Sequence, residues 1–323
     1  MKVVKINKSQ LNSKIFAITN DNWQLIKKKI SKTKLQTYSK GEANSFSYFF
    51  QALNQNQAIG YGALKELKWD SNHFQGKMGL IDLKTTASNG RQKSLAVNML
   101  LISLLKEAEK KKFNHLTVKL DSALIEEIDA VELLGFSYKA NLISYLITLK
   151  DLKLESCSSK VVVSNAKKEE SKEIEKIAHD SFSERSVWLD RFHADINLPK
   201  KKSDELYVKW IRNCLLGKEA DIVLCAKVKN KVAGFIAAKT DKDIKKYLGL
   251  KVATIPLNAV SKKYRGKGIY KLMVKAILSE YKSKGYDAVI ITTQLATKAV
   301  AKTWLGLGAD IFSSRIVMHK TLR

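Results

Sequence analysis

Hydrophobic and polar residues along the chain follow two periodicities, one of which predicts strands and the other helices. In the first half, apolar or alternating runs predict strands at 45–53, 58–66, 78–83, 115–120 and 142–149. Helical spacing predicts helices at 92–111 and 122–134. The longer helix is amphipathic, with Leu95, Met99, Leu100, Ile102 and Leu105 on or near one face.

The second half repeats this order with clearer boundaries. Strands are predicted at 161–163, 222–228, 232–238, up to 260, at 288–293 and at 315–319, with helices at 168–178, 204–216, 267–282 and 297–307. Between the halves, 151–159 loses the apolar pattern. We therefore predict an α/β (α+β) chain of two similar domains, 1–153 and 154–323, each a mixed twisted sheet flanked by helices.

Charge adds a preference for anionic partners. The 323 residues include 58 basic and 31 acidic side chains, a net charge of +27, and only seven of the basic residues are arginine. There is no basic tail, and the lysine runs fall at helix ends or in loops, as on a solvated surface. No stretch interleaves aromatic and basic residues, so nucleic-acid binding is a weak alternative.

The spacing of the cysteines and histidines and the length of the apolar segments argue against several other classes of protein. No segment approaches the roughly 18 apolar residues of a spanning helix, and the start has no signal-peptide core, so we expect a cytoplasmic protein without membrane insertion. Cys157, Cys214 and Cys225 have no CxxC spacing and predict reduced thiols. The five histidines lack metal-ligand spacing, which predicts no metal site.

The segment with candidate chemistry is 257–274, LNAVSKKYRGKGIYKLMV. An apolar strand enters a basic turn with Gly266 and Gly268, and a helix follows. The first amides of a helix have no intrahelical partner and the helix dipole is positive there, so this junction suits a pyrophosphate. An ordinary tight turn is the alternative.

This loop resembles the acetyl-CoA loop of the GNAT acetyltransferase superfamily. Arg265, Gly268 and Tyr270 occupy the positions of its pattern, although Tyr270 stands where a small residue is usual. Thr293-Gln294 and Gly308-Ala309 fall at the family's later spacings. The resemblance implies acetyl-CoA as co-substrate. The implied cofactor contacts are Leu257, Asn258, Ala259, Val260, Arg265, Gly266, Lys267, Gly268, Ile269, Tyr270 and Thr297.

A second resemblance covers both halves. Residues 67–74 (LKWDSNHF) and 190–195 (DRFHAD) are similar to segments of the TDP-fucosamine acetyltransferase family, whose members N-acetylate nucleotide-linked amino sugars. That family has two GNAT-like domains, and only its second domain binds acetyl-CoA. In agreement, the equivalent loop of the first half, 88–91 (SNGR), lacks the glycine pair.

The resemblance implies direct transfer, in which a neutral amine attacks the thioester without a covalent enzyme intermediate. Trp304 stands where the family has a catalytic tyrosine, and Thr297 stands where it has a cofactor-contacting asparagine. An indole N–H does not titrate as an acid, so the thiolate leaves unaided or takes its proton from water or Tyr270. Alternatively, the chain binds acetyl-CoA without catalysis, and Trp304 is a packing residue.

For the acceptor we expect the loop 182–199. In a lysine-rich chain, Arg185 and Arg191 suggest planar, bidentate binding of a diphosphate or carboxylate. His193, Glu184 or Asp195 would relay the proton of the amine through water. The alternative is a loop of surface ion pairs. The expected partner is a nucleotide-diphosphate amino sugar; another amine acceptor and a homodimer stay open.

Overall fold

A computed structural model describes residues 1–10, 26, 43, 45–87, 89–154, 160–184 and 190–322. Its strands are β1 (Lys2–Ile6), β2 (Tyr48–Asn54), β3 (Gln57–Glu66), β4 (Met78–Thr85), β5 (His115–Asp121), β6 (Ser137–Thr148), β7 (Val161–Asn165), β8 (Ile222–Val228), β9 (Lys231–Thr240), β10 (Val252–Val260), β11 (Ala288–Gln294) and β12 (Asp310–Thr321). Its helices are α1 (Lys68–Phe74), α2 (Gly90–Lys110), α3 (Ile125–Leu133), α4 (Ser171–Phe182), α5 (Lys200–Leu215), α6 (Lys242–Leu248), α7 (Ile269–Ser283) and α8 (Lys298–Leu305). The predicted α/β class is confirmed; β1, α1 and α6 were not predicted.

Contacts divide the chain into two compact units, each of which is built from more than one segment of the sequence. Unit 1 comprises Met1–Leu142, Asp190–Leu198 and Ser314–Arg323, and unit 2 comprises Ile143–Leu189 and Pro199–Ser313. This division differs from the predicted domains 1–153 and 154–323. The difference arises because 190–198 and the last ten residues pack with the first part of the chain.

Unit 1 is a mixed sheet in the order β1-β2-β3-β4-β5-β12. Strands β1 to β4 pair in antiparallel fashion, β4 and β5 are parallel, and β12 lies antiparallel to β5. The β5 and β12 register places His115, Lys119, Arg315 and His319 on one face, because residues paired across strands share a face. The opposite face carries Leu116, Val118 and Met318 and packs on α2 and α3.

Unit 2 has the same topology, in the order β7-β8-β9-β10-β11-β6. Strands β7 to β10 are antiparallel and β10 and β11 are parallel. The β8–β9 hairpin turns through Lys229 (φ 49°) and Asn230 (φ 63°), two left-handed residues that match the strand twist. The sixth strand therefore comes from β12 in unit 1 and from β6 in unit 2, whereas the sequence predicts the reverse.

The long helix α2 packs on the unit 1 sheet through one stripe. Its buried residues include Ala96, Val97, Leu100, Leu101, Leu104 and Ala108. Leu95 and Ile102, from the predicted apolar face, are not part of this stripe, and their exposed fractions are 48% and 41%. Spacings of three, four and seven residues connect 97, 100, 101, 104 and 108, and both exposed side chains lie on the opposite side of the helix.

The cysteines and helices bear on two further predictions. Cys214 and Cys225 are buried free thiols, and burial raises the pKa of each to about 12, so neither is a reactive thiolate. Cys157 lies outside the described residues. Among the helices of the described ranges, none has both the length and the apolar composition that crossing a bilayer requires.

Candidate active site

The candidate site in unit 2 begins where β10 and β11 separate. Their parallel register runs from Val252 opposite Ala288 to Ile255 opposite Ile291. Beyond Ile255, β10 continues to Val260. In the described part of the chain this stretch pairs with β9 alone, after a register shift between Thr254 and Leu257. Between the ends of β10 and β11, the peptide groups of 257–260 can therefore bind an extended ligand as an added strand would.

The glycine loop follows this strand directly. Gly266 (φ 76°) and Gly268 (φ 75°) are both left-handed, a conformation that is strained for other residues. A Cβ added at either position would meet no heavy atom within 4 Å, so the space outside the loop is open. The helix α7 then begins at Ile269. The loop combines backbone that only glycine adopts easily with the unpaired amides of a helix start.

Two cations of this loop hold the carboxylate of Glu184. The Nζ of Lys262 donates to one oxygen at 2.7 Å, and Nη1 of Arg265 donates to the other at 2.7 Å. These hydrogen bonds, from Lys262 and then Arg265, lower the pKa of Glu184. The Nε of Arg265 also donates to the carbonyl of Val260 at 3.1 Å. Glu184 is therefore a poor base here, and its contacts favour a role in positioning the loop cations.

Trp304 is fully buried on α8, with no exposed surface. Its Nε1–H donates to the hydroxyl oxygen of Tyr270 at 3.0 Å, which connects α8 to the first turn of α7. Burial raises the pKa of Tyr270, and the hydrogen bond from Trp304 opposes that rise. Since the indole N–H occupies one lone pair of the oxygen, the Tyr270 O–H keeps its own proton to donate. Thr297 is the N-cap residue of the same helix α8.

Three of the predicted acceptor residues, Arg191, His193 and Asp195, lie in the unit 1 segment 190–198. Nη2 of Arg191 lies 3.4 Å from Oδ2 of Asp70 on α1, and its guanidinium stacks 3.9 Å above the Phe192 ring. Nη1 of Arg191 is buried without a hydrogen-bond partner among the described residues. The contact with Asp70 joins the two segments, 67–74 and 190–195, on which the second resemblance depends.

The other candidates of this loop are already engaged. Nδ1 of His193 forms a very short contact with Asp190, and the His193 side chain is 2% exposed. Asp195 is buried between two histidines of unit 1. Arg185 lies outside the described residues. A proton relay through His193 or Asp195 thus finds no support in their contacts.

Sequence reasoning missed Lys119 on the polar face of unit 1. Burial, followed by the charges of Arg191 and Arg315, lowers the pKa of Lys119 to about 7. Asp70 is the anion that opposes this shift. The alternation of His115, Thr117 and Lys119 along β5 was the available signal, because it places three polar side chains on one face.

The comparisons agree with this architecture. A GCN5-related N-acetyltransferase from Sphaerobacter thermophilus superposes with a TM-score of 0.62 at 9% identity, covering 99% of this chain and 96% of the other. A tandem GNAT protein from the clavulanic acid biosynthesis pathway gives 0.53 at 10% identity, covering 99% and 98%. A glucosamine N-acetyltransferase region of a fungal multi-domain β-N-acetylglucosaminidase gives 0.59 at 13% identity, covering 99% and 38%. At these identities the likeness defines the fold, which is that of GNAT proteins.

The sequence itself matches the acetyltransferase (GNAT) family over residues 180–308. No curated protein matches the chain significantly. The matched segment contains β10, the glycine loop, α7, β11 and α8. Residues 180–308 are therefore similar in sequence to GNAT acetyltransferase domains.

Proposed function

We propose that the chain is an acetyl-CoA-dependent N-acetyltransferase that transfers the acetyl group directly to an amine. The observation that carries this proposal is the continuous path in unit 2 from the separated end of β10, through two left-handed glycines, to the start of α7. The open space at both glycine Cβ positions suits a pyrophosphate, which must approach backbone amides closely. When bound, acetyl-CoA would supply the thioester.

The residues of this chain then have separate roles. Peptide groups of 257–260 hold the pantetheine arm, and a backbone N–H from this stretch stabilises the thioester oxygen. Amides at Gly266–Ile269, with Arg265 and Lys267, hold the pyrophosphate. The hydroxyl of Tyr270, oriented by Trp304, donates a proton to the departing thiolate. This assignment moves the acid from position 304, where a tryptophan cannot act, to position 270.

For the acceptor we propose an amine on a nucleotide-linked sugar, bound through its diphosphate. Support comes from the polar face of unit 1, where Arg191 leaves one buried nitrogen unpartnered among the described residues. Burial, and after it the charges of Arg191 and Arg315, lowers the pKa of Lys119 on this face. These three cations act near one carboxylate, that of Asp70, so a diphosphate that joins them would reduce their mutual repulsion.

Free-thiol release from acetyl-CoA tests the chemistry, using a panel of TDP- and UDP-amino sugars with polyamines and peptide amines as other acceptors. We expect release with nucleotide sugars and little with the rest. Release with another amine alone would retain the acetyltransferase and reject this acceptor. Binding of acetyl-CoA by calorimetry without any release would favour the non-catalytic alternative.

The acceptor assignment is tested separately with Arg191→Lys. Lysine keeps the charge but loses the planar pair of donors, so we expect the KM for the nucleotide sugar to rise about tenfold, equivalent to about 1.4 kcal/mol. The KM for acetyl-CoA should stay unchanged. The matched control is Arg212→Lys, because Arg212 makes a bidentate pair with Glu175 at 3.0 and 2.6 Å on the surface of unit 2. Equal changes in both KM values would reject the assignment.

A further inference from the structure

Three potential metal ligands from distant parts of the sequence converge in unit 1. Oδ2 of Asp195, in the segment 190–198, lies 2.8 Å from Nε2 of His115 on β5. The same oxygen lies 2.8 Å from Nδ1 of His319 on β12. One ligand atom from each residue lies within 4.8 Å of the others. The two rings meet edge to face, with centroids 4.6 Å apart, and each directs a nitrogen at the same carboxylate oxygen.

All three side chains are removed from solvent, with exposed fractions of 5% for His115 and 1% for both Asp195 and His319. The second oxygen of Asp195 is held independently. It accepts from the backbone N–H of Asn197 at 3.0 Å and from the Asn197 side-chain amide at 3.2 Å. Hydrogen bonds of this kind fix a carboxylate so that its other oxygen keeps a set direction, as around bound metals.

We propose that His115, Asp195 and His319 form a binding site in unit 1 for a divalent transition-metal ion of the zinc type. Two imidazoles and one carboxylate are a ligand set that such ions favour over calcium or magnesium. In the ion-free chain, each imidazole donates an N–H to Asp195. On binding, that proton moves to the other ring nitrogen, and the freed lone pair bonds to the metal.

The outer nitrogens suit this exchange. Nδ1 of His115 and Nε2 of His319 are buried and have no hydrogen-bond partner among the described residues, so each has an open position for the proton. The chemistry balances without another reactant, because two neutral imidazoles change tautomer and the metal takes three lone pairs. The Nζ of Lys139 lies 4.0 Å from Oδ1 of Asp195, which is not the oxygen that contacts the two rings.

A fourth ligand has room beside the cluster. A polar cavity of about 250 Å³ adjoins it, lined by Asp195, His319, Asn197, Ser137 and Lys320, among others. A water molecule occupies about 30 Å³ in the liquid, so the cavity admits a metal-bound water and its neighbours. Three protein ligands with one open position is the arrangement of a reactive metal site rather than a closed structural one.

Cobalt titration tests the proposal directly. The full-length protein is freed of metal with a chelator, dialysed and titrated with Co²⁺, whose visible spectrum reports coordination by nitrogen and oxygen. We expect one equivalent to bind with a d–d absorption band, and Zn²⁺ to displace it. Because the ion joins three segments of unit 1, Zn²⁺ should also raise the melting temperature.

Two substitutions separate metal binding from folding. In His115→Gln and His319→Asn, the amide nitrogen takes the position of the imidazole nitrogen that faces Asp195, so the hydrogen bond to the carboxylate is kept while the imidazole ligand is lost. Both variants should melt near the wild-type temperature and lose the cobalt band. His179→Ala, at an exposed histidine of unit 2, should retain it. No cobalt band in the wild type, or a band that either amide variant keeps, would overturn the proposal.

Discussion

Gly268 offers the sharpest test of the glycine loop, because two other glycines of unit 2 match its geometry. Gly268 has φ 75°, Gly217 has φ 73° and Gly285 has φ 67°, and a Cβ at any of them meets nothing within 4 Å. Alanine at each position therefore adds the same backbone strain and no clash. Only Gly268 lies where we expect the pyrophosphate. The comparison of Gly268→Ala with Gly285→Ala isolates ligand approach from folding.

The expected magnitudes follow from these geometries. A left-handed alanine costs about 1–2 kcal/mol, partly offset by about 0.4–1 kcal/mol from the lower entropy of the unfolded chain. Both variants should therefore lose about 1 kcal/mol of stability, or about 2–4 °C in melting temperature for a unit of this size. In Gly268→Ala, a methyl group at the phosphate position also costs one charge-assisted hydrogen bond, about 1.5–3 kcal/mol.

Calorimetric titration measures the affinity of each variant for acetyl-CoA, which is the quantity that tests the placement. Affinity should fall about 10- to 100-fold in Gly268→Ala and stay within twofold of wild type in Gly285→Ala. Thermal melting of both variants verifies that their stabilities match. Equal affinities in the two variants would refute the placement of the pyrophosphate at this loop.

Three further predictions address other groups. Tyr270→Phe should lower kcat at least tenfold and leave the acetyl-CoA dissociation constant unchanged, whereas Trp304→Phe should lower kcat less; an active Tyr270→Phe enzyme would remove the proposed acid. The pKa of Lys119 falls from 10.5 to about 7 on folding, so the unfolded chain binds more protons than the folded chain between about pH 7 and 10.5. The stability of the wild-type protein therefore rises with pH across that window. Denaturant titrations of Lys119→Met should show higher stability than wild type at pH 7 and no such rise. Glu184→Gln should free the two loop cations and tighten acetyl-CoA binding about three- to tenfold at low salt. Glu175→Gln is the control. Weaker binding in Glu184→Gln would show instead that Glu184 holds the loop in its binding conformation.

The glycine loop was predictable because its signals are local. A strand end, two left-handed glycines and a helix start each leave a mark within a few residues of the sequence. The helix α6 has such marks as well, since Asp241 accepts from the backbone of Asp243 and Ile244, and Gly249 ends it at φ 71°. It escaped prediction because its short, lysine-rich sequence has little apolar periodicity, so capping residues were a better guide here than hydrophobic spacing.

The partners of the polar residues could not be predicted, because they depend on pairing over long distances. The alternation in β12 predicts a strand but does not choose its neighbour, so His319 had no predicted connection to His115. Asp195 was predicted as a loop residue near the acceptor. Its contact with the histidines was not predictable, because it is 80 residues from one histidine and 124 from the other. Only the observed register and the position of 190–198 bring the three together.

The division of the chain into units also constrains how it can be made and shortened. Unit 1 is completed by Ser314–Arg323, which follows all of unit 2 in the chain, so the unit that is synthesised first must wait for the synthesis of unit 2 to gain its sixth strand. Unit 2 takes its sixth strand from β6 and has that strand earlier. Expressing 1–153 or 154–323 alone would expose an unpaired sheet edge in the first fragment and leave β12 without β5 in the second. Separate production of either unit therefore requires a circular permutation or a grafted strand rather than a simple truncation.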